Sequence, residues 1–148
     1  MSKALDIAEA MAAHLNATAG FDGVPALVDR QLDIGTEIAK RMGLAISSSK
    51  GRGGVMTVFY TGFTNPDAGI SAAPTVSRSY LVSIYGADVL KSGHTPADDI
   101  MELAAHALHQ WEPADQFGIA EIHVLNGQAR PDADYLIYDL EVRILSRL

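Results

Sequence analysis

The run "DYLIYDLEVRILSRL" at residues 134–148 constrains the fold more than any other stretch. Leu136, Tyr138, Leu140, Val142 and Ile144 alternate with Ile137, Asp139, Glu141 and Arg143. A period of two over that length makes a β-strand with one apolar and one charged face. The chain must therefore build a sheet, cover one side of it, and leave charges on the other. A slip of one residue would bury three charges, so the register is tightly specified. Asp139 and Glu141 could also act as a carboxylate couple. Arg143 beside them favours a cross-strand charge network over a carboxyl with a raised pKa.

What covers the sheet is read from helical spacing. Residues 3–16 place Leu5, Ala8, Ala12 and Leu15 on one side in an Ala-rich segment, and "AGFDGVP" at 19–25 ends it. Residues 33–42 predict a weaker helix: Ile34, Ile38 and Met42 repeat at four, Asp33 is placed to cap it, and Gly43 to stop it. The strongest helical signal is "HTPADDIMELAAHALHQW". Thr95 is read as N-cap and Pro96 as the first helical residue, with Asp98 and Asp99 complementing the dipole. An apolar stripe then runs through Ile100, Leu103, Ala104, Ala107, Leu108 and Trp111 to a stop at Pro113, giving a helix at about 96–111.

Residues 55–63 and 76–86 are dense in Val, Ile, Thr, Tyr and Phe and predict a long antiparallel hairpin. Its connection, 64–75, is too long for a tight turn and is expected to project. "GIAEIHVLNG" and the C-terminal run supply two further strands. No linker or repeat divides the 148 residues. The expectation is one α+β domain over 1–148: a mixed or antiparallel sheet with a projecting hairpin, packed by the N-terminal helix and the 96–111 helix.

Chemistry is harder to find. "SSSKGRGGV" at 47–55 has the residues of a phosphate loop in the wrong order: Lys50 precedes Gly51, and strand formers follow where a helix should open. It is read as a hairpin tip carrying Lys50 and Arg52, with no nucleotide bound. Glu102, His106 and His109 share helical spacing that a metal could use, but a second ligand-bearing helix and an H-E-x-x-H core are missing. Ser92-Gly93-His94 lies in a turn before a helix, and no G-x-S-x-G elbow occurs. Cysteine is absent, which removes thiol chemistry and disulfides. No apolar run is long enough for a transmembrane helix. The formal charge of −7 disfavours a protein that grips nucleic acid. No catalytic residue, cofactor or metal is expected.

The order of elements carries a resemblance. Val82, Ile84, Tyr85 and Gly86 in one strand, Ala97, Asp98, Ile100, Leu103 and Leu108 in the helix, and Tyr135, Leu140, Val142 and Ile144 in the last strand resemble the tail terminator (tail-completion) proteins of tailed bacteriophages. The resemblance covers about 76–148, and 24–50 has no counterpart. It implies a structural virion protein, assembled in the host cytoplasm, that forms a ring, usually a hexamer. Such a ring caps the tail tube, contacts tail tube and neck proteins, and passes DNA through its lumen without sequence-specific binding or membrane contact. On that reading Lys50, Arg52, Ile70, Asp139, Glu141 and Arg143 are the expected interface residues. The alternatives are another head–tail connector of similar fold, or a small α+β metal-dependent enzyme or ligand-binding protein using Glu102, His106 and His109 near Trp111.

Overall fold

The computed structural model describes residues 3–29, 34–48, 50–64, 75–87, 91–113 and 122–147. Its elements in chain order are α1 (Lys3–Ala17), β1 (Ala26–Val28), α2 (Ile34–Ser47), β2 (Gly54–Thr64), β3 (Thr75–Gly86), α3 (Ala97–Leu108), β4 (Ile122–Arg130) and β5 (Leu136–Arg147). The strands form one mixed sheet in the order β1-β2-β3-β5-β4. Only the β1–β2 pair is parallel.

The expected hairpin is present, with Val58 opposite Val82 and Gly54 opposite Gly86. β3 then pairs with β5 along its whole length. Helices α1 and α3 lie on one face. They bury Ile7, Met11, Leu15, Ile100, Ala104 and Leu108 against Met56, Val58, Val82, Ile84, Leu140, Val142 and Ile144. Complete burial of one such side chain stabilises by about 1.5–3 kcal/mol. The alternation read in the last strand therefore holds at Leu140, Val142 and Ile144. Tyr80 joins this core and donates its hydroxyl to Ala4 O at 2.8 Å. Burial pushes that phenol well above its ordinary pKa, against an opposing pull from Arg78.

Helix α2 lies on the opposite face. Ile38, Met42 and Ala45 pack on Val55, with Leu27, Tyr85 and Tyr135 at the margin. It covers one end of the sheet, and among the described residues nothing covers the rest of that face.

Four expectations are corrected. The second helix continues through Gly43 to Ser47, because Met42 and Ala45 find a buried partner in Val55. Gly43 sits on the exposed side, where a methyl group would meet nothing within 4 Å. Consequently Lys50 and Arg52 do not sit at a hairpin tip but lead from α2 into β2. At the start of α3, Pro96 rather than Thr95 occupies the N-cap, with φ −57° and ψ 142° and no side-chain cap. Thr95 instead donates its backbone N–H to Arg52 O at 2.8 Å, which fixes how the chain approaches the helix. At the other end the helix stops at Leu108, and Gln110 turns the chain with a positive φ of 64°. Trp111 thus lies beyond the helix, stacked on His14 with ring centroids 4.0 Å apart. The short parallel strand β1 had no counterpart in the sequence reading.

Candidate functional site: the open face of the sheet

Beyond α2, the uncovered face is built from the odd-numbered positions of β3 and β5 and the matching positions of β4. Strand pairing sets Ser83 beside Asp139, and Asp139 beside Gln128. It likewise sets Glu141 beside Asn126, and Arg143 beside His123. A bulge between Val124 and Asn126 shifts the register of β4. That shift keeps Asn126, Gln128 and Arg130 on the open face.

Asp139 is a correction to the charged-outward expectation, since its exposure is only 8%. Its burial is compensated. Ser83 Oγ donates to Oδ1 at 2.7 Å, and Arg130 Nε donates to Oδ2 at 2.8 Å. The Asp139 hydrogen bond is the main reason the Arg130 guanidinium holds its proton above the ordinary arginine value, with Tyr85 assisting. The two donors replace the water that burial takes from the carboxylate. Glu141 accepts from Asn126 Nδ2 at 2.8 Å. Its contact with Arg143 is looser, 3.8 Å between side chains that are both exposed above 40%. Such a pair contributes at most about 1 kcal/mol, which leaves Arg143 available to another carboxylate.

Two hollows mark this face. One of about 220 Å³ is lined by Thr61, Leu81, Asn126, Gln128 and Glu141, with Asp139 at its floor. The other, about 330 Å³ and mostly apolar, lies at the hairpin end among Thr64, Ser77, His123, Leu125, Arg143 and Leu145.

The structure brings Asp139, Glu141 and Arg143 together and separates them from Lys50 and Arg52. Those two sit where β2 begins, near the opposite end of the sheet from Arg143. Arg52 Nη1 donates to Gly93 O at 3.2 Å. Backbone amides a phosphate would need are already committed: Gly51 N–H to Ser48 O, Arg52 N–H to Gly23 O, and Gly53 N–H to Ala45 O. The loop also follows the C-terminal end of α2, where the dipole is negative. Its glycines serve packing, since a Cβ at Gly51 would strike the Ala45 carbonyl. Ile70 lies outside the described residues.

Glu102 and His106 are exposed on α3. His109, past the last helical residue, turns toward β4, where its Nδ1 accepts the Val124 N–H at 3.1 Å. Its ring stands 5.8 Å from that of His123. Among the described residues no cluster of three metal-ligating side chains forms. His94 Nδ1 accepts the Lys91 N–H at 3.2 Å, and Gly93 has a φ of 86°, so Ser92-Gly93-His94 is a turn ahead of α3. Among the described residues no helix is long and apolar enough to cross a membrane.

Ser83, Asn126 and Arg130 were missed in the sequence. Ser77, Ser79 and Ser83 carry a usable signal: small polar residues at a period of two mark the uncovered face of β3. Nothing local singles out Arg130, whose role depends on the β4–β5 register.

No protein-family model matches this chain, and no curated protein does. Among solved structures, a chain of the "Virion of native gene transfer agent (GTA) particle" aligns with 63% of this chain and 69% of its own. The identity is 16% and the TM-score 0.48.

Proposed function

We propose that this protein is a structural component of a tailed-phage virion. It is a tail terminator that assembles as a ring, a hexamer in the usual form, caps the tail tube and joins it to the neck. The observation that carries the reading is the open sheet face. Asp139, Glu141 and Arg143 lie there side by side, with Arg143 only loosely engaged by its own chain. A neighbour can use such a face, and head-to-tail contacts of this kind close into rings.

The resemblance over 76–148 supports the same reading, because its residues fall on β3, α3 and β5 in the expected order, Tyr135 just ahead of β5 excepted. The acidic balance of −7 suits a conduit through which DNA slides without being gripped. In this reading the protein carries out no reaction and holds no cofactor. Glu102, His106 and His109 are surface and capping groups.

Native mass spectrometry and electron microscopy across a range of concentrations test the proposal. A ring of defined mass with a central lumen is expected. A monomer at every concentration would overturn it. A ring that binds a head-side partner but no tail tube would move the assignment to another head–tail connector.

A further inference from the structure

Resting on the ring reading, we infer which two surfaces of neighbouring subunits meet: the apolar hollow at the hairpin end of one sheet receives the β4–β5 turn of the next subunit. The hollow has two features of an unfilled site. Leu125 and Leu145 stand at its rim 46% and 43% exposed. Ser77 lines it with only 6% of its surface exposed, and its hydroxyl has no hydrogen-bond partner among the described residues. Buried polar groups ordinarily have partners, so a missing one signals an occupant that supplies it. Arg143 adds positive charge to the same rim.

The occupant must therefore offer an apolar side chain, a carboxylate and a polar backbone group. Five large apolar residues are exposed among the described residues: Leu44, Phe63, Leu125, Leu136 and Leu145. Leu125 and Leu145 belong to the hollow, and Phe63 pairs opposite Arg78 at the same end of the sheet. Leu44 sits on α2 close in sequence to Lys40 and Arg41, the wrong charge. Leu136 alone follows acids, Asp132 and Asp134, in the exposed turn "PDADY". That turn is closed on itself, because Asp132 Oδ1 accepts the N–H groups of Asp134 at 2.8 Å and Tyr135 at 3.0 Å. The turn and the hollow lie at opposite ends of β5, roughly 30 Å apart at the rise of a strand. One subunit's turn can thus enter only another subunit's hollow, and the ring reading requires that this contact run head-to-tail rather than reciprocally, as in a closed dimer.

Reversing the charges tests this. Arg143 and Asp134 are both exposed, and unchanged melting temperatures verify that the variants fold. Arg143→Glu alone and Asp134→Lys alone should each weaken assembly about tenfold or more, and the double variant should restore most of it. If the wild type assembles and neither single change alters its mass distribution, this contact is wrong while the ring stands. If Arg143→Glu is rescued by reversing Asp98, Asp99 and Glu102 instead, the hollow takes α3 and the turn is excluded. A monomeric wild type removes the ring reading and this contact with it.

Discussion

Ser83 on β3 and Asp139 on β5 are joined across the sheet by a 2.7 Å hydrogen bond beneath the Arg130 guanidinium. The pair is buried on a face that is otherwise open, so it fixes how β3, β5 and β4 lie against one another. Asp139→Ala should destabilise the fold by about 2–3 kcal/mol, since it strands the Ser83 hydroxyl and unpairs Arg130. Asp139→Asn keeps an acceptor for Ser83 and should cost less. Urea unfolding of the two variants measures the difference. Equal losses would mean that the charge, not the hydrogen bond, carries the effect.

On β5 the neighbouring positions Val142 and Arg143 should behave oppositely. Val142 is fully buried on the α1–α3 side, so Val142→Asp places an unpaired charge in the core and should abolish folding. Arg143→Glu on the open face should leave the melting temperature within a few degrees and change the assembly state. Circular dichroism and light scattering on both variants separate the outcomes. A folded Val142→Asp protein would refute the strand facing.

Gly43 is a glycine in a helix with room for a side chain. Gly43→Ala should stabilise by about 0.5–1 kcal/mol through the lower entropy of the unfolded chain. Gly53 is the contrasting position: its φ is +78°, and a Cβ would sit 2.9 Å from the His94 ring. Gly53→Ala should therefore destabilise. Thermal melts of the two variants are expected to shift in opposite directions.

The Asp132 carboxylate is held below the ordinary range, chiefly by the Asp134 N–H and then by the Tyr135 N–H. A depressed carboxyl adds stability that is present above its unfolded value, about 3.9, and is lost as pH falls through the lower folded value. Asp132→Asn keeps the acceptor oxygen but has no proton to gain. The difference in melting temperature between wild type and Asp132→Asn should be flat above pH 5 and should change as pH falls further. A difference that stays constant down to acid unfolding would show that the turn does not depend on that charge.

The sequence made legible what depends on periodicity. The two central strands, the helix between Ala97 and Leu108 and the core face of β5 all follow from spacings of two or three to four. What escaped depended on partners distant in sequence. Gly43 looks like a stop until Val55 is known to lie beneath Met42 and Ala45. Asp139 looks solvent-exposed until Ser83 and Arg130 arrive from two other strands. β1 is three residues long, too short to show a period, and exists because β2 offers it an edge. Thr95 has the right chemistry for a cap, but its backbone is held by Arg52, and the helix starts one residue later than that chemistry implies.

Helix α2 has a consequence for whatever lies against this protein. Among the described residues it is alone on its side of the sheet, and a packed helix stands about 10 Å above the strands beneath it. The uncovered area is therefore a terrace with a wall along one border. On the ring reading, a neighbour laid on the terrace would abut that wall and be free only toward the hairpin end, where Arg143 lies. A single layer of helix or sheet laid there would finish about level with the top of α2.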